Sequence, residues 1–142
     1  MDQLQTLSME RVLRSSLWQT TPVDCPPDSA LFVNAVVGLV PFVGETPESL
    51  LAKLQSIERE FGRQPKRVHN EPRPIDLDLI TFANETRATR NLVLPHPRAH
   101  LRRFVLKPLN EIAPELVLPG QTSPVHELLN ALPTDVNMRD VS

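Results

Sequence analysis

Three segments of the chain have the hydrophobic patterns of β-strands. Residues 31–40 are nearly all apolar and rich in β-branched side chains, which predicts a well-buried strand. Residues 74–82 alternate, so that leucine and isoleucine point to one side and Asp76 and Asp78 point to the other. Residues 9–19 have no helical stripe and lead into a Thr-Thr-Pro loop, which favours a third strand.

Helical spacing predicts three helices between and after these strands. Thr46 can cap the first helix, apolar residues then recur every three or four positions, and Gly62 is expected to supply a left-handed stop. Residues 99–112 are predicted to be helical but broken near Pro108, and residues 123–132 form a last short helix. Strands and helices mixed in this way favour an α+β sandwich with helices packed against one sheet.

Length and charge narrow the range of functions. The 142 residues include 15 Lys and Arg against 17 Asp and Glu, a formal charge of −2. This balance argues against a nucleic-acid coat or a polybasic membrane binder, so neither partner is expected. Cys25 is the single cysteine and cannot form an internal disulfide, which favours the cytoplasm. One domain over residues 1–142 is expected, with a tail that frays from Pro133.

The clearest chemical feature is the pair of carboxylates Asp76 and Asp78. Two residues apart on a strand, they share one face, with backbones about 7 Å apart. Mg²⁺ takes one or two carboxylates together with phosphate oxygens and water, so the pair can hold it. A bare pair of this kind is as often a solvated strand face, but the preceding loop is basic and favours a polyphosphate site. The basic residues of that loop are Arg63, Lys66, Arg67 and Arg73.

Five segments together resemble one enzyme family. EPRPIDLDLITF (residues 71–82) resembles the signature of the 6-hydroxymethyl-7,8-dihydropterin pyrophosphokinase family of folate biosynthesis. SSLWQTTP and FVNAVV resemble its pterin-pocket segments, and QSIEREFGR resembles the helix that leads into its nucleotide loop. LPHPRAHLRRFVLKPLNEIAPELVLP resembles most of its C-terminal half. The resemblance covers about residues 9–132 and is far more specific than the acidic pair alone.

The resemblance implies a ferredoxin-like sandwich, with an antiparallel sheet packed against helices. It also implies transfer of pyrophosphate from ATP to the hydroxymethyl group of a reduced pterin. Two Mg²⁺ ions would be held by Asp76 and Asp78, and Arg63 and Arg73 would act with them as catalytic residues. The implied pterin pocket consists of Thr20, Pro22, Val23, Phe32, Asn34 and Phe104. The implied ATP contacts are Gln55, Glu58, Arg63, Arg73, His96 and Arg102.

The sequence departs from the family pattern at several positions. Family members begin with a central strand that ends in Gly-Ser-Asn, and this sequence starts after it, at what looks like the end of the following helix. A sheet without that strand is expected to leave an apolar groove, so low stability or self-association is expected. Asn70 and Glu71 replace a Trp-Gly pair and Pro65 replaces an arginine, while Asn91 and Val93 stand where the family often has arginine and threonine.

Two functions remain open on these residues. The first is an active pyrophosphokinase, which the intact acidic pair, Arg73 and His96 favour. The second is a truncated, non-catalytic relative that binds pterin or nucleotide, which Asn70, Glu71 and the missing first strand favour. A nucleotidyl-transferase palm that uses the acidic pair is a distant third, because it leaves Asn34 and the C-terminal half unexplained.

Overall fold

The structure is a computed structural model, and it describes residues 2–20, 32–62, 76–133 and 138–141. The helices are α1 (Asp2–Gln5), α2 (Pro47–Gly62), α3 (Arg103–Ile112) and α4 (Val125–Ala131), with a 3₁₀ turn at Ala99–Leu101. The strands are β1 (Leu13–Arg14), β2 (Trp18–Thr20), β3 (Phe32–Asn34), β4 (Val37–Gly38), β5 (Arg87–Ala88), β6 (Val93–Leu94) and β7 (Met138–Asp140).

The first two strands run antiparallel to the next two, with a bulge between the two ladders. The pairs are Leu13 with Gly38, Arg14 with Val37, Trp18 with Asn34, Gln19 with Val33, and Thr20 with Phe32. The Ser15 N–H also donates to the Val36 carbonyl, at 2.9 Å. From there to Trp18 the first strand has two residues, Ser16 and Leu17, where its partner has only Ala35. One extra residue on one strand is a β-bulge.

The C-terminal residues extend this sheet. β7 pairs antiparallel with β2, so the three-stranded sheet has the order β3-β2-β7. The Val141 N–H continues the pairing to the Leu17 carbonyl, at 2.8 Å. The prediction of a frayed tail from Pro133 is therefore wrong for residues 138–140, because the free side of β2 satisfies their backbone groups.

Two strand predictions need correction. Residues 31–40 were predicted to be well buried, but Val33 is 56% exposed and the described residues 34–39 are half-buried. β3 and β4 lie at sheet edges within the described residues, so neighbours cover them less than they would a central strand. In residues 76–79 the alternation survives, with Asp76 and Asp78 exposed and Leu77 and Leu79 half-buried, whereas residues 80–82 are all half-buried. Residues 76–82 form no β-ladder with any other described segment, so the predicted strand is not found there.

Helix α2 follows the sequence pattern closely at its start. Thr46 Oγ1 accepts from the Ser49 N–H at 3.1 Å, and Ser49 Oγ accepts from the Thr46 N–H at 2.9 Å, which is a reciprocal cap. The apolar face of α2 is buried with Leu4 of α1, in a cluster that the half-buried residues 77, 79 and 82 also contact. Gly62 is the last helical residue and does not adopt the positive φ that was predicted for a stop.

The helical segment of residues 99–112 is broken, but at a different residue from the one predicted. The break lies at Arg102, whose φ of −109° and ψ of 114° are extended, between the 3₁₀ turn and α3. Pro108 lies inside α3 without ending it. Leu106 is fully buried and packs with Leu109 of α3 and Val125 of α4, and this packing offsets the hydrogen bond that proline cannot donate. The α+β prediction is confirmed. No helix in the described ranges has the length and apolar content that a membrane crossing needs.

Candidate active site

A cleft of about 320 Å³ lies between α2, residues 76–79 and the β5–β6 hairpin. It brings together Asp76 and Asp78 with Gln55, Glu58 and His96, all five predicted from the sequence as metal or ATP ligands. These residues come from three separate parts of the chain. The other lining residues are Leu51, Leu77, Leu79, Asn91, Leu92, Val93 and Pro97.

Helix α2 supplies one wall of the cleft. Leu51, Gln55 and Glu58 are four and three residues apart, so the helix places them on one face. Glu58 Oε2 accepts a hydrogen bond of 2.7 Å from the Leu77 N–H. The carboxylate of Glu58 therefore fastens the backbone between Asp76 and Asp78 to α2.

The two aspartates lie on a segment without regular secondary structure that is held by two hydrogen bonds. Besides the bond to Glu58, the Ile80 carbonyl accepts from the His96 N–H at 2.7 Å. Asp76 and Asp78 are exposed while Leu77 lies half-buried between them. Within the described residues, no group of three or more His, Cys, Asp and Glu is arranged to hold a metal ion.

His96, which follows β6 in the chain, also lines the cleft. Its Nδ1 accepts a hydrogen bond of 3.3 Å from the Arg98 N–H. Because Nδ1 accepts, the proton of a neutral His96 ring is assigned to Nε2. Nε2 is then a hydrogen-bond donor, and this suits an oxygen-rich ligand.

An ion pair fixes the hairpin wall against α2. Arg87 Nε donates to Glu48 Oε2 at 2.6 Å, and its Nη1 donates to Glu85 Oε2 at 2.8 Å. The hydrogen bond from Arg87 lowers the pKa of Glu48 below its ordinary value. Arg87 lies on β5 and Glu48 lies in the first turn of α2, so the pair joins the two elements that flank the cleft.

The predicted pterin residues that the structure describes lie apart from this cleft, around β2, β3 and α3. Asn34 pairs with Trp18 across the β2–β3 ladder, and Thr20 pairs with Phe32 at its end. Phe104 is half-buried on α3, which contacts β2, β3 and β4. The guanidinium of Arg102, predicted as an ATP ligand, lies 5.4 Å from the centre of the Phe104 ring rather than in the cleft lining.

Four predicted site residues fall outside the described residues: Pro22, Val23, Arg63 and Arg73. Of Phe32 only the backbone is described. Sequence reasoning did not assign Leu51, Leu92 or Pro97 to the site. Leu51 could have been found from its spacing to Gln55 and Glu58, whereas Leu92 reaches the cleft through the turn of the β5–β6 hairpin. In that turn the Thr89 N–H donates to the Leu92 carbonyl at 2.9 Å.

Similarity to known proteins shows the family of this chain. Residues 1–114 match the model of the 7,8-dihydro-6-hydroxymethylpterin-pyrophosphokinase (HPPK) family. The chain belongs to this family. It is 41% identical over 109 residues to the 2-amino-4-hydroxy-6-hydroxymethyldihydropteridine pyrophosphokinase of Haemophilus influenzae, which covers 77% of this chain and 66% of that protein.

Two other relatives match this chain over smaller shares of their own length. The enzyme of the same name from Bacillus subtilis is 40% identical over 102 residues, covering 72% of this chain and 59% of the relative. The folic acid synthesis protein fol1 of Pneumocystis carinii is 38% identical over 122 residues, covering 84% of this chain and 16% of the relative. The chain thus spans less than two thirds of each of these three proteins.

Proposed function

We propose that this chain transfers pyrophosphate from ATP to the hydroxymethyl group of 6-hydroxymethyl-7,8-dihydropterin. One observation carries the proposal: three distant chain segments bring Asp76 and Asp78 into one cleft with Gln55, Glu58 and His96. Membership of the family and the printed activity of its bacterial relatives support the same reaction. The single cysteine favours a cytoplasmic site of action.

The acidic pair fits a Mg²⁺ site. Asp76 and Asp78 are exposed carboxylates that line the same cleft, and oxygen is the ligand that Mg²⁺ prefers. When bound with ATP, two Mg²⁺ ions would neutralise the phosphate charge and orient the phosphate chain. Glu58 holds the backbone between the two aspartates, so their spacing stays fixed before ATP enters.

The reaction exchanges one phosphorus–oxygen bond for another. The hydroxymethyl oxygen of the pterin releases its proton to solvent and bonds to the β-phosphorus of ATP. The bond from that phosphorus to the α-phosphate oxygen breaks, and AMP leaves with the electron pair on that oxygen. In phosphoryl transfer the protein contributes mainly position and positive charge. We assign these tasks to His96 Nε2, which donates to ATP, and to Arg63, Arg73 and Arg102, whose guanidinium groups suit phosphate.

The pterin site is proposed around the β2–β3 ladder. The amide of Asn34 can both donate to and accept from the polar edge of the heterocycle. Phe104 of α3 and Phe32 of β3 would stack on its two faces. Thr20, Pro22 and Val23 complete the proposed pocket.

A second function is also proposed because two cleft residues differ from the family pattern. Asn91 and Val93 line the cleft where the family often has arginine and threonine, and Asn91 lacks the positive charge of that arginine. Loss of that charge favours a relative that binds pterin or nucleotide without transferring pyrophosphate.

One experiment distinguishes the two functions. The pyrophosphokinase releases AMP from ATP only when reduced pterin and Mg²⁺ are both present, whereas the binding relative gives calorimetric binding of pterin or ATP without AMP. Asp78→Ala should reduce AMP release at least about a hundredfold, because it removes a ligand that acts on the transferred group. Glu115→Ala, at a side chain that is 83% exposed and outside the cleft, is the matched control. AMP release in Asp78→Ala equal to that of Glu115→Ala rules out the metal assignment.

A further inference from the structure

Glu111, at the C-terminal end of α3, holds two groups of the bulged strand at once. Its Oε2 accepts a hydrogen bond of 2.8 Å from the Ser16 N–H, and its Oε1 accepts one of 2.5 Å from Trp18 Nε1. These contacts join residues more than 90 positions apart in the chain. Nothing in the cleft chemistry described above uses Glu111.

The contact depends on the bulge. In a regular ladder the Ser16 N–H would either point to solvent or pair with the neighbouring strand, but the extra residue leaves it outside the β1–β4 and β2–β3 pairs. Glu111 satisfies that N–H with a charged acceptor. A hydrogen bond to a carboxylate is stronger than one to a neutral oxygen, so the bulge is held in one geometry.

One face of α3 carries the whole arrangement. Phe104, Lys107 and Glu111 are spaced three and four residues apart, which places them on one side of the helix. The Lys107 ammonium lies 5.5 Å from the centre of the Trp18 ring. The indole is therefore fixed by the cation on its face and by Glu111 at its N–H. Trp18 in turn is the direct cross-strand neighbour of Asn34.

The charge on Glu111 is maintained at neutral pH. Burial raises the pKa of the carboxyl, but the hydrogen bonds from the Ser16 N–H and from Trp18 outweigh it, and the net pKa is below its ordinary value. Asp140, which pairs with Trp18 on β7, acts against this by like-charge repulsion.

We infer that Glu111 is a positioning residue for the pterin pocket. By holding Ser16 and Trp18, it sets the position of Asn34 on β3 relative to Phe104 on α3, two groups that must act on the same ligand. The inference rests on the proposed function. It assigns to α3 a second role, as the element that couples the aromatic wall of the pocket to the amide that recognises the ring edge.

The test uses Trp18 as its own reporter. It is the only tryptophan and the chain has no tyrosine, so the intrinsic emission comes from this site. Glu111→Gln leaves one acceptor oxygen where the carboxylate has two, so it cannot accept both hydrogen bonds in the same way. Trp18→Phe keeps an aromatic ring but removes the indole N–H. Glu115→Gln, in the exposed segment after α3, is the matched control.

Glu111→Gln should raise the Kd for 6-hydroxymethyl-7,8-dihydropterin roughly fivefold and leave the Kd for ATP unchanged, because only the pterin pocket loses a support. Its Trp18 emission should shift to longer wavelength. Trp18→Phe should show the same selective loss, and Glu115→Gln should show neither change. Because Trp18→Phe retains most of the packing, it tests the same link if the Glu111 variant fails to fold.

Unchanged pterin affinity in both variants, or equal losses of pterin and ATP affinity, would overturn the inference. Absence of pterin binding to the unaltered protein would instead overturn the proposed function, and with it this role for Glu111. The emission shift of Glu111→Gln distinguishes the two failures, since it reports the Glu111–Trp18 contact without any ligand.

Discussion

At the scale of single residues, the acidic and amide side chains carry the proposed chemistry, while neighbouring backbone contacts fix where they point. Two hydrogen bonds of 2.7 Å hold the segment of Asp76 and Asp78, one from the Leu77 N–H to the Glu58 carboxylate and one from the His96 N–H to the Ile80 carbonyl. The carboxylates are thus positioned without being buried. An exposed pair of carboxylates held in fixed positions suits a charged ligand that binds reversibly.

Replacement of Asn34 tests whether the proposed pterin pocket is separate from the cleft. Asn34→Ala should weaken pterin binding by about 1–3 kcal/mol, since a polar edge of the ligand loses its partner. ATP binding should remain unchanged because Asn34 does not line the cleft. Calorimetry with each ligand measures both effects, and Asn130→Ala, on α4, is the control. Equal losses for the two ligands would contradict the proposed pocket.

The Glu111 carboxyl should make the Trp18 emission sensitive to acid. Its pKa in the folded protein lies below the ordinary value of 4.5, so the hydrogen bonds from Ser16 and Trp18 stabilise the fold above that value. This stabilisation is lost as the pH falls through the lowered pKa. We expect the emission to change only below about pH 4.5 in the unaltered protein. A change of the same size and midpoint in Glu111→Gln would assign it to another group.

At the scale of elements, tertiary packing determined where helix α3 is broken, against the local preference of proline to end a helix. Pro108 predicted a break in α3, yet the helix continues through it because Leu106 and Leu109 bury their side chains against α4. The break moved to Arg102, where the chain turns from the 3₁₀ segment into α3. Burial of large side chains thus outweighed one missing hydrogen bond.

The α3–α4 contact should account for a large part of the stability. Leu106→Ala removes a fully buried side chain and should lower the free energy of unfolding by about 2–5 kcal/mol. Leu101→Ala, at a side chain that is 62% exposed, should change it by less than about 0.5 kcal/mol. Urea unfolding followed by circular dichroism compares the two. A similar loss in both variants would mean that the α3–α4 cluster does not support the fold.

At the scale of the whole molecule, β3 is an edge strand of the described three-stranded sheet and exposes an apolar side chain. Val33 of β3 is 56% exposed. An exposed strand edge with apolar side chains is a template for pairing with another chain. We also propose that residues 1–142 act as one domain, since α2 and α3 both contact residues of the β3–β4 region.

The exposed edge should cause self-association that increases with protein concentration. Val33→Lys places a charge on the edge and should shift sedimentation toward the monomer. Val43→Lys adds the same charge at a residue that is 94% exposed in the turn before Gly44, away from the ladder, and should not. Analytical ultracentrifugation over a range of concentrations checks this. A monomer at every concentration, or equal effects of the two lysines, would refute the prediction.

Part of the site was predictable because it follows from periodicity. The alternation of residues 74–82 placed Asp76 and Asp78 on one side, and the spacing of Gln55 and Glu58 placed them on one face of α2. Leu92 and Pro97 were not predicted as cleft residues, because they reach it only through the hairpin that Arg87 fastens to α2. No local pattern encodes which helix a hairpin packs against.

The sequence by itself determined the class of fold, the capped start of α2, the acidic pair and the resemblance to one family, because all of these depend on spacing within short segments. Only the tertiary structure decided that β7 pairs with β2, that Pro108 stays inside α3, and that Glu111 holds the bulge at Ser16. These features join residues distant in the chain. They form only when burial and backbone pairing over the whole molecule outweigh the local preference of each segment.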